Sequence, residues 1–304
     1  MKTALSRRTR RWDEKIARLD PEKSYREIVL LLSDHVFPLE MLVAIELAQL
    51  RTFTIPSISR ILHATRQYED DGERRLDDTR AILNEIHRNG IDTPEGQQMV
   101  EHLNRIHALY KISNDDYLYV LSTFVFDPVL FVEKHGHRPF TMHEKRALFA
   151  SSKRFGEAMH IRDIPESYEA FFAWRRAYER DHQRYAPENE AVARGFLEAA
   201  GKSLPPWVAR SLEGLVVVLI DDPKLCAALG LRAPVAPLQV GVRALARLWC
   251  RTSRYVNPFE HTSASELPWL NEYPTYPNGY DRMRLGPKKV LKLLEQQDRE
   301  RTAC

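Results

Sequence analysis

Glycine and cysteine are both scarce in this chain of 304 residues, which has 12 glycines and three cysteines. Scarce glycine, together with the lack of any run of alternating β-branched residues, favours an all-helical protein. Cys226, Cys250 and Cys304 are odd in number and show no CxxC spacing. That pattern argues against a disulfide framework or a thiolate zinc site and leaves a reducing, cytoplasmic location as the expectation.

Several sequence motifs are missing as well. No GxGxxG, GxxxxGK[ST], GxSxG or HExxH occurs, so dinucleotide, P-loop, serine-hydrolase and zincin chemistry lack their usual residues. The formal net charge of +3 comes from 45 basic and 42 acidic residues mixed along the chain, which argues against nucleic-acid binding. The run 41–45 is apolar, but Asp34, Glu40 and Glu46 interrupt any window of about 20 residues around it, so no membrane span is expected.

The apolar content of 43% can form a sizeable core, and no repeat or biased linker divides the chain. We therefore predict a single-domain, multi-helix bundle over residues 24–285, followed by a C-terminal helix and tail at 286–304. Residues 1–23 form a basic N-terminal arm. Two interpretations of this arm remain: a solvated segment, or one attracted to anionic lipid in a peripheral membrane contact.

The stretch 73–126 contains the side chains best suited to bind a ligand or take part in catalysis. Leu76, Leu83 and Ile86 fall on one helical stripe, and Thr79 occupies the gap in it, so Thr79 is expected to face inward. Arg75 lies four residues before Thr79 on the same side, where a guanidinium needs an anionic partner. Asp77, Asp78 or another local acid would supply it, and Gly90 ends the helix.

A second helix is predicted from about Thr93 to about Tyr110. In it, Leu103, Ile106 and Tyr110 share a face with His107, which therefore points at the core. Such a histidine is either a core residue with satisfied hydrogen bonds or a ligand of a metal or haem. His102 lies roughly 140° round the helix from His107, so the two cannot hold one ion together, and a single axial ligand fits better.

The remaining segments give simpler predictions. The helix that opens at Ser113 is apolar on all sides and is expected to stop at Asp127-Pro128. The polar run 66–74 is interpreted as a loop, and 135–139, with His135 and His137, as an exposed turn rather than a metal site. Glu46 needs a partner, for which Arg51 is nearest. Aromatic residues of the helix after Pro165 are either core or the wall of an apolar pocket: Tyr168, Phe171, Phe172, Trp174 and Tyr178.

Longer runs of the sequence show a family resemblance. They are RRLDDT at 74–79, NRIHALYKISNDDYLYVLSTFVFDP at 104–128, IRDIPESYEAF at 161–171, ELAQLRTFTIPSIS at 46–59 and TYPNGY at 275–280. In these runs the chain strongly resembles the MpaB-like oxygenases, the group allied to the latex-clearing rubber oxygenases. The resemblance extends from about Ser24 to about Leu285 and so covers most of the chain.

The resemblance implies a site and an activity. In the family, Arg-x-x-x-Thr followed some thirty residues later by an inward histidine forms the haem site, and this pattern falls on Arg75, Thr79 and His107. It implies a globin-like helical core, b-type haem with His107 as the iron ligand, and Arg75 and Thr79 as cofactor-binding and catalytic residues. The implied reaction is cleavage of a carbon–carbon double bond in an apolar, isoprenoid or prenyl chain with dioxygen.

One family residue has no counterpart. A glutamate upstream of Arg-x-x-x-Thr is the family's proposed base, but the position sixteen residues before Arg75 is Ser59, and Glu69 to Asp71 lie in the predicted loop. The catalytic base is therefore unassigned. Two alternatives stay open: a haem enzyme of another type, such as a hydroxylase or dehydrogenase, and a non-enzymatic helical protein that binds haem or an isoprenoid lipid.

Overall fold

The computed structural model describes residues 9–253, 255, 263 and 272–302. Most of these residues are helical and none of them forms a β-strand, which confirms the predicted all-α class. The helices are α1 (Arg10–Ile16), α2 (Tyr25–Leu31), α3 (Pro38–Thr52), α4 (Pro56–Thr65), α5 (Gln67–Asp70), α6 (Gly72–Asn89), α7 (Pro94–His107), α8 (Asn114–His135), α9 (Met142–Ala158), α10 (Tyr168–His182), α11 (Pro187–Lys202), α12 (Pro206–Ala209), α13 (Leu212–Ile220), α14 (Pro223–Ala228), α15 (Ala236–Thr252) and α16 (Lys288–Thr302).

The helices α3 and α8 form the centre of the bundle and pack along each other. α8 is buried on most sides, as its apolar sequence predicts, and Val125, Phe126 and Val129 have almost no exposed surface. α9 packs against α8 and α2, α11 packs against α4, α5 and α6, and α6 packs against α7. The fold therefore surrounds a space between α3, α6, α7 and α8.

Local signals fix the ends of the helices that bound this space. Gly90 adopts a φ of +76° and ends α6, as predicted, because a left-handed backbone suits glycine. The Thr93 hydroxyl accepts the Gly96 N–H at 3.1 Å and begins α7. The Ser113 hydroxyl accepts the Asp116 N–H at 3.0 Å and begins α8.

The predicted stop of the central helix at Asp127-Pro128 is wrong. α8 continues through Pro128 to His135. Proline removes one backbone hydrogen bond, but buried side chains on both sides of it, such as Val125 and Val132, hold the helix in the core. Asp127 adds ion pairs to Arg51 at 2.5 Å and Arg175 at 3.0 Å.

The polar run 66–74 is not a loop. Arg66 adopts a φ of +54° between α4 and α5, and α6 already begins at Gly72. Tyr68 anchors the short α5, because its ring is buried and packs edge-on against Phe53 at 5.3 Å. A single apolar anchor among charged residues gives no periodic signal in the sequence.

The segment 135–139 is not an exposed turn either, because His137 and Arg138 are buried. The Arg138 guanidinium pairs with the carboxylates of Asp13 and Glu144, both at 2.6 Å. Asp13 belongs to α1, so the predicted solvated arm is folded and packed from residue 9 onward. An ion pair between residues this far apart in the chain leaves no trace in local sequence.

No single helix in the described part of the chain is long and apolar enough to cross a membrane. α2 with its π-helical continuation Leu32–Val36 and α3 reach the required length and composition only as a pair, bent by 107°. Of residues 254–271, the structure describes 255 and 263. Residues 272–287 return to α6, where Tyr276 donates a hydrogen bond to Asp78 and Tyr280 to Glu85.

Candidate functional site

A cavity of about 260 Å³ lies between α3, α6, α7 and α8, and we call it the inner cavity. Arg75 and Thr79 on α6 and His107 at the end of α7 all line it. Their helical spacing predicted one shared site, and the structure brings the three side chains to it. Most of the remaining lining is apolar and includes Ile82, Leu83, Leu103, Ile106, Val120, Leu121 and Phe124.

His107 is held in a neutral state. Burial, with a smaller contribution from the nearby Arg75 charge, lowers the pKa of its imidazole to about 4. Its ring contacts Tyr117 edge-on, with centroids 5.7 Å apart. The buried Nδ1 atom has no hydrogen-bond partner among the described residues. A neutral imidazole without a partner in a cavity has the form required of a metal or haem ligand, and differs from a core histidine whose hydrogen bonds are satisfied.

Arg75 is not paired with an acid in the described part of the chain, contrary to the expectation from sequence. Its Nη1 donates to the Thr79 hydroxyl at 2.6 Å, and that hydroxyl donates to the Arg75 carbonyl at 2.8 Å. The guanidinium lies 5.5 Å from the centre of the Tyr68 ring. Neutral groups thus position the guanidinium, which can form an ion pair with an anionic group of a ligand.

The two acids expected to neutralise Arg75 have other partners. Asp77 accepts hydrogen bonds from the Thr275 backbone N–H at 2.9 Å and from its hydroxyl at 2.7 Å. Asp78 accepts from the Tyr276 hydroxyl and lies 3.9 Å from Arg74. Both carboxylates therefore fix the returning C-terminal segment against α6.

Glu46 also has a different partner from the one predicted. Its carboxylate accepts a hydrogen bond from Arg80 Nε at 2.7 Å. Arg51 instead pairs with Asp127 at 2.5 Å and Glu179 at 3.4 Å. The spacing within α3 indicated that Glu46 needed a cation but could not show which neighbouring helix carries it.

The catalytic base that the resemblance left unassigned has one candidate. Among the described residues that line the inner cavity, Asp116 alone carries a carboxylate. Its Oδ1 atom accepts hydrogen bonds from the Ser57 and Tyr178 hydroxyls, each at 2.7 Å. Sequence reasoning missed this residue because an acid in the first turn of a helix has an ordinary structural explanation. Ser59 is buried and its hydroxyl donates to the Phe53 carbonyl at 2.7 Å.

Gln49 is a second residue that the sequence did not single out. It lines the inner cavity from α3, and its buried Nε2 atom has no hydrogen-bond partner among the described residues. The aromatic residues of α10 do not line this cavity. They pack with α8 instead, for example Phe126 on Phe171 with ring centres 5.4 Å apart. The core interpretation of that stripe is therefore confirmed.

The described helices surround a mostly apolar cavity that holds a neutral histidine and an arginine with no ion pair to a described acid, and these are features typical of an interior small-molecule site. Residues 41–254 match the family described as ER-bound oxygenase mpaB/B′/rubber oxygenase, catalytic domain. The matched segment is more than half of the chain and includes Arg75, Thr79 and His107. The chain belongs to this family.

Three curated relatives are similar over parts of their length. ER-bound oxygenase mpaB of Penicillium roqueforti (strain FM164) is 29% identical over 154 residues, which are 49% of this chain and 51% of that protein. The ER-bound oxygenases mpaB and mpaB′ of Penicillium brevicompactum are each 30% identical over 131 residues, or 41% of this chain and 33% and 31% of those proteins. The matched segments thus span between about a third and about half of the relatives' length.

Proposed function

We propose that this protein is a haem-dependent oxygenase that cleaves a carbon–carbon double bond in an apolar, isoprenoid or prenyl chain with dioxygen. The observation that carries the proposal is the presence, in one mostly apolar cavity, of a neutral His107 and of an Arg75 that forms no ion pair with a described acid. The family to which the chain belongs supports an oxygenase activity. In the net reaction one dioxygen molecule and one double bond give two carbonyl groups.

The residues present fit haem b. His107 would be the protein ligand of the iron. Its low pKa keeps the imidazole neutral at neutral pH, so one of the two ring nitrogens carries no proton and can bind a metal. Arg75 would pair with a propionate carboxylate, and Thr79 holds its guanidinium in position. When bound, haem supplies an iron that activates dioxygen.

The other lining residues have roles of their own. The apolar lining excludes water and accommodates a hydrocarbon chain. Asp116 would accept or hold a proton, because it is the carboxylate of the cavity wall and its Oδ1 is oriented by Ser57 and Tyr178. The unassigned catalytic base is thereby proposed to be Asp116.

The visible spectrum of the purified, haem-supplemented protein tests the cofactor. We expect a Soret band that is lost or shifted in His107→Gln. His102→Gln is the matched control, because His102 lies on the same helix but its Nε2 contacts the Leu285 carbonyl at 2.8 Å and does not line the cavity. An unchanged band in His107→Gln would show that another residue binds the iron.

Arg75 is tested by haem retention compared with folding. Arg75→Met should release haem more readily while its thermal unfolding stays close to that of the wild type, because no ion pair to a described acid is lost. The neighbouring Arg74→Met is the control, since Arg74 lies near Asp78 and over the Tyr276 ring at 5.1 Å. Full haem occupancy and activity in Arg75→Met would contradict the proposed role.

Oxygen uptake with a polyprenyl substrate separates the proposed reaction from the alternatives. Uptake that yields carbonyl products supports cleavage. A haem-loaded protein that consumes no oxygen with such chains would favour a hydroxylase or dehydrogenase acting on another apolar compound. A folded protein that stays colourless and iron-free would leave a non-enzymatic helical binding protein.

We also propose that the protein is cytoplasmic and makes a peripheral membrane contact. α15 exposes Val240, Leu245 and Leu248, whose exposed fractions are 68%, 67% and 56%. Arg243 and Arg247 are exposed on the same helix. Apolar residues flanked by cations suit a surface of anionic lipid. The relatives named ER-bound are consistent with such a contact.

Sedimentation with phosphatidylserine-containing vesicles tests this contact, and cell fractionation tests the location. Leu245→Ser combined with Leu248→Ser should reduce the fraction that sediments. Leu109→Ser removes a leucine that is 37% exposed on another part of the fold and should have no effect. Equal sedimentation of wild type and the double variant would show that α15 is not the contact.

A further inference from the structure

A second cavity, of about 340 Å³, lies between α2, α3, α6 and α9, and we call it the outer cavity. Apolar side chains supply much of its surface, among them Val29, Met41, Leu42, Ile86 and Leu148. The proposed site residues Arg75, Thr79 and His107 do not line it. The outer cavity is thus a separate space that does not contain the residues of the proposed haem site.

The two cavities are adjacent. Five side chains line both of them: Ile45 and Gln49 from α3, Leu83 from α6, Phe124 from α8 and Phe155 from α9. Because the same side chains face both spaces, the wall between the cavities is a single layer of side chains. We call these five residues the shared wall.

The shared wall contains little that would keep it closed. Four of its members are apolar, and Phe124 meets Phe155 edge-on with ring centres 6.1 Å apart. Phe124 is only partly buried, although its neighbours Thr123 and Val125 on α8 are buried. Rotating such side chains costs packing energy but breaks no ion pair or strong hydrogen bond.

Gln49, the polar member, is held weakly as well. Its Oε1 accepts a hydrogen bond from the Tyr68 hydroxyl at 3.4 Å, near the limit of such a bond, and its Nε2 is buried without a partner among the described residues. An amide with so few partners can reorient when a ligand passes.

Several polar groups around the outer cavity already have partners inside the protein. Glu46 pairs with Arg80 at 2.7 Å, and Ser33 meets His87 Nε2 at 3.0 Å. Burial lowers the pKa of His87, which favours the uncharged ring. The Arg26 guanidinium donates to the Arg88 carbonyl at 2.6 Å. A ligand of this cavity therefore needs apolar surface rather than charge.

We propose that the outer cavity binds the part of a linear, uncharged hydrocarbon chain that extends beyond the inner cavity, and that the chain passes through the shared wall. The inference rests on the proposed function, because it takes the inner cavity as the place of reaction. It adds that the substrate lies across both cavities. The double bond presented to the site is then internal to the chain, with apolar carbons on both sides of it.

Equilibrium binding of isoprenoid alcohols with two, three and four isoprene units tests the inference without relying on turnover. Displacement of the fluorescent probe 1-anilinonaphthalene-8-sulfonate from the full chain gives the affinities. For the wild type we expect binding at least about tenfold tighter for the four-unit than for the two-unit alcohol, because each buried methylene contributes to affinity.

Two variants locate the effect. Ser151 lines only the outer cavity, so Ser151→Phe should fill it, remove the gain from the longer alcohols and leave two-unit binding within about twofold of the wild type. Leu83→Trp should block the passage from the shared wall and also remove the gain from the longer alcohols; because Leu83 lines the inner cavity too, only Ser151→Phe tests whether two-unit binding is preserved. Leu109→Trp, on a residue that lines neither cavity, should behave as the wild type. Thermal unfolding of each variant confirms that it is folded.

The outcomes distinguish this inference from the proposed function. Three results would each overturn the inference. The wild type could bind all three alcohols with the same affinity. Folded Ser151→Phe could keep the length dependence of the wild type, or could bind short and long alcohols more weakly by the same factor. A Soret band that depends on His107 would leave the proposed function standing in all these cases. The absence of that band, with the length dependence intact, would overturn the proposed function instead and leave a site for apolar chains.

Discussion

At the scale of single residues, the charge state of His107 is the property that most affects what the cavity can bind. Its position next to the Arg75 cation and away from water keeps the ring neutral over the physiological range. A protonated ring could not bind a metal, so the same environment that destabilises the imidazolium prepares the ligand.

The lowered pKa of His107 predicts acid sensitivity of the haem-free protein. Between pH 6.5 and about 4 the unfolded chain takes up a proton on His107 that the folded chain does not, so the free energy of unfolding falls as the pH falls through this window. His107→Gln lacks this contribution and should lose less stability. Urea unfolding at pH 7, 6 and 5 checks this. A constant difference between wild type and variant at all three would contradict it.

Sequence spacing placed Arg75, Thr79 and His107 in one cavity but gave the wrong partners for Arg75 and Glu46. Spacing on a helix determines which side chains share a face. It does not determine which side chain of another helix lies opposite, and Glu46 meets Arg80 across such a contact at 2.7 Å. The haem, catalytic and substrate roles themselves remain predictions.

At the scale of helices, the structure shows why α8 passes through Pro128. Asp127 lies between Arg51 on α3 and Arg175 on α10, and the Arg175 side chain is only 1% exposed. These ion pairs and the burial of α8 on both sides of the proline hold the helix in the core. Neither is visible from the residues next to Pro128, which locally favour a helix end.

Removing the Asp127 carboxylate should therefore be costly. Asp127→Ala leaves two buried arginines with less compensation, and we expect the free energy of unfolding to fall by about 3–5 kcal/mol. Glu166→Ala is the control, because the Glu166 side chain is 87% exposed in its ion pair with Lys153, and such pairs contribute about 0–1 kcal/mol. Urea unfolding of both variants measures the difference. Similar losses would show that the Asp127 pairs add little to stability.

At the scale of the whole molecule, the sequence sufficed for the all-α class because glycine is scarce, no run of alternating β-branched residues occurs and apolar residues recur at helical spacing. It did not show how distant segments close the fold. Arg138 binds Asp13 from α1, and the described C-terminal residues return over α6 and α7. Gly286 lies just before α16 and has a φ of +125°. A Cβ atom on this residue would lie 2.9 Å from Ile106 Cδ1.

The C-terminal helix should stabilise the part of the fold next to His107. Val290 and Leu294 are buried and pack on Ile106, so a chain that stops before Lys288 should lose about 3–5 kcal/mol of unfolding free energy. It should also release haem faster. A chain that stops after Gln297 keeps both apolar residues. Among the described contacts it loses the partly exposed Arg105–Asp298 pair and the exposed Gln296–Glu300 hydrogen bond, so it should change by less than about 1 kcal/mol. Equal behaviour of the two truncations would rule out this role for α16.

Arg75 forms no ion pair with a described acid, and this also bears on how the haem-free protein should be handled. A positioned guanidinium is a site for small oxyanions, and a ligand that binds only the folded state stabilises it in proportion to the logarithm of its concentration. The melting temperature of the haem-free protein should thus be higher in phosphate than in chloride at equal ionic strength. Arg75→Met should melt at the same temperature in both buffers. Purification in phosphate would then slow subsequent loading with haem, because phosphate and the propionate carboxylate would compete for one cation.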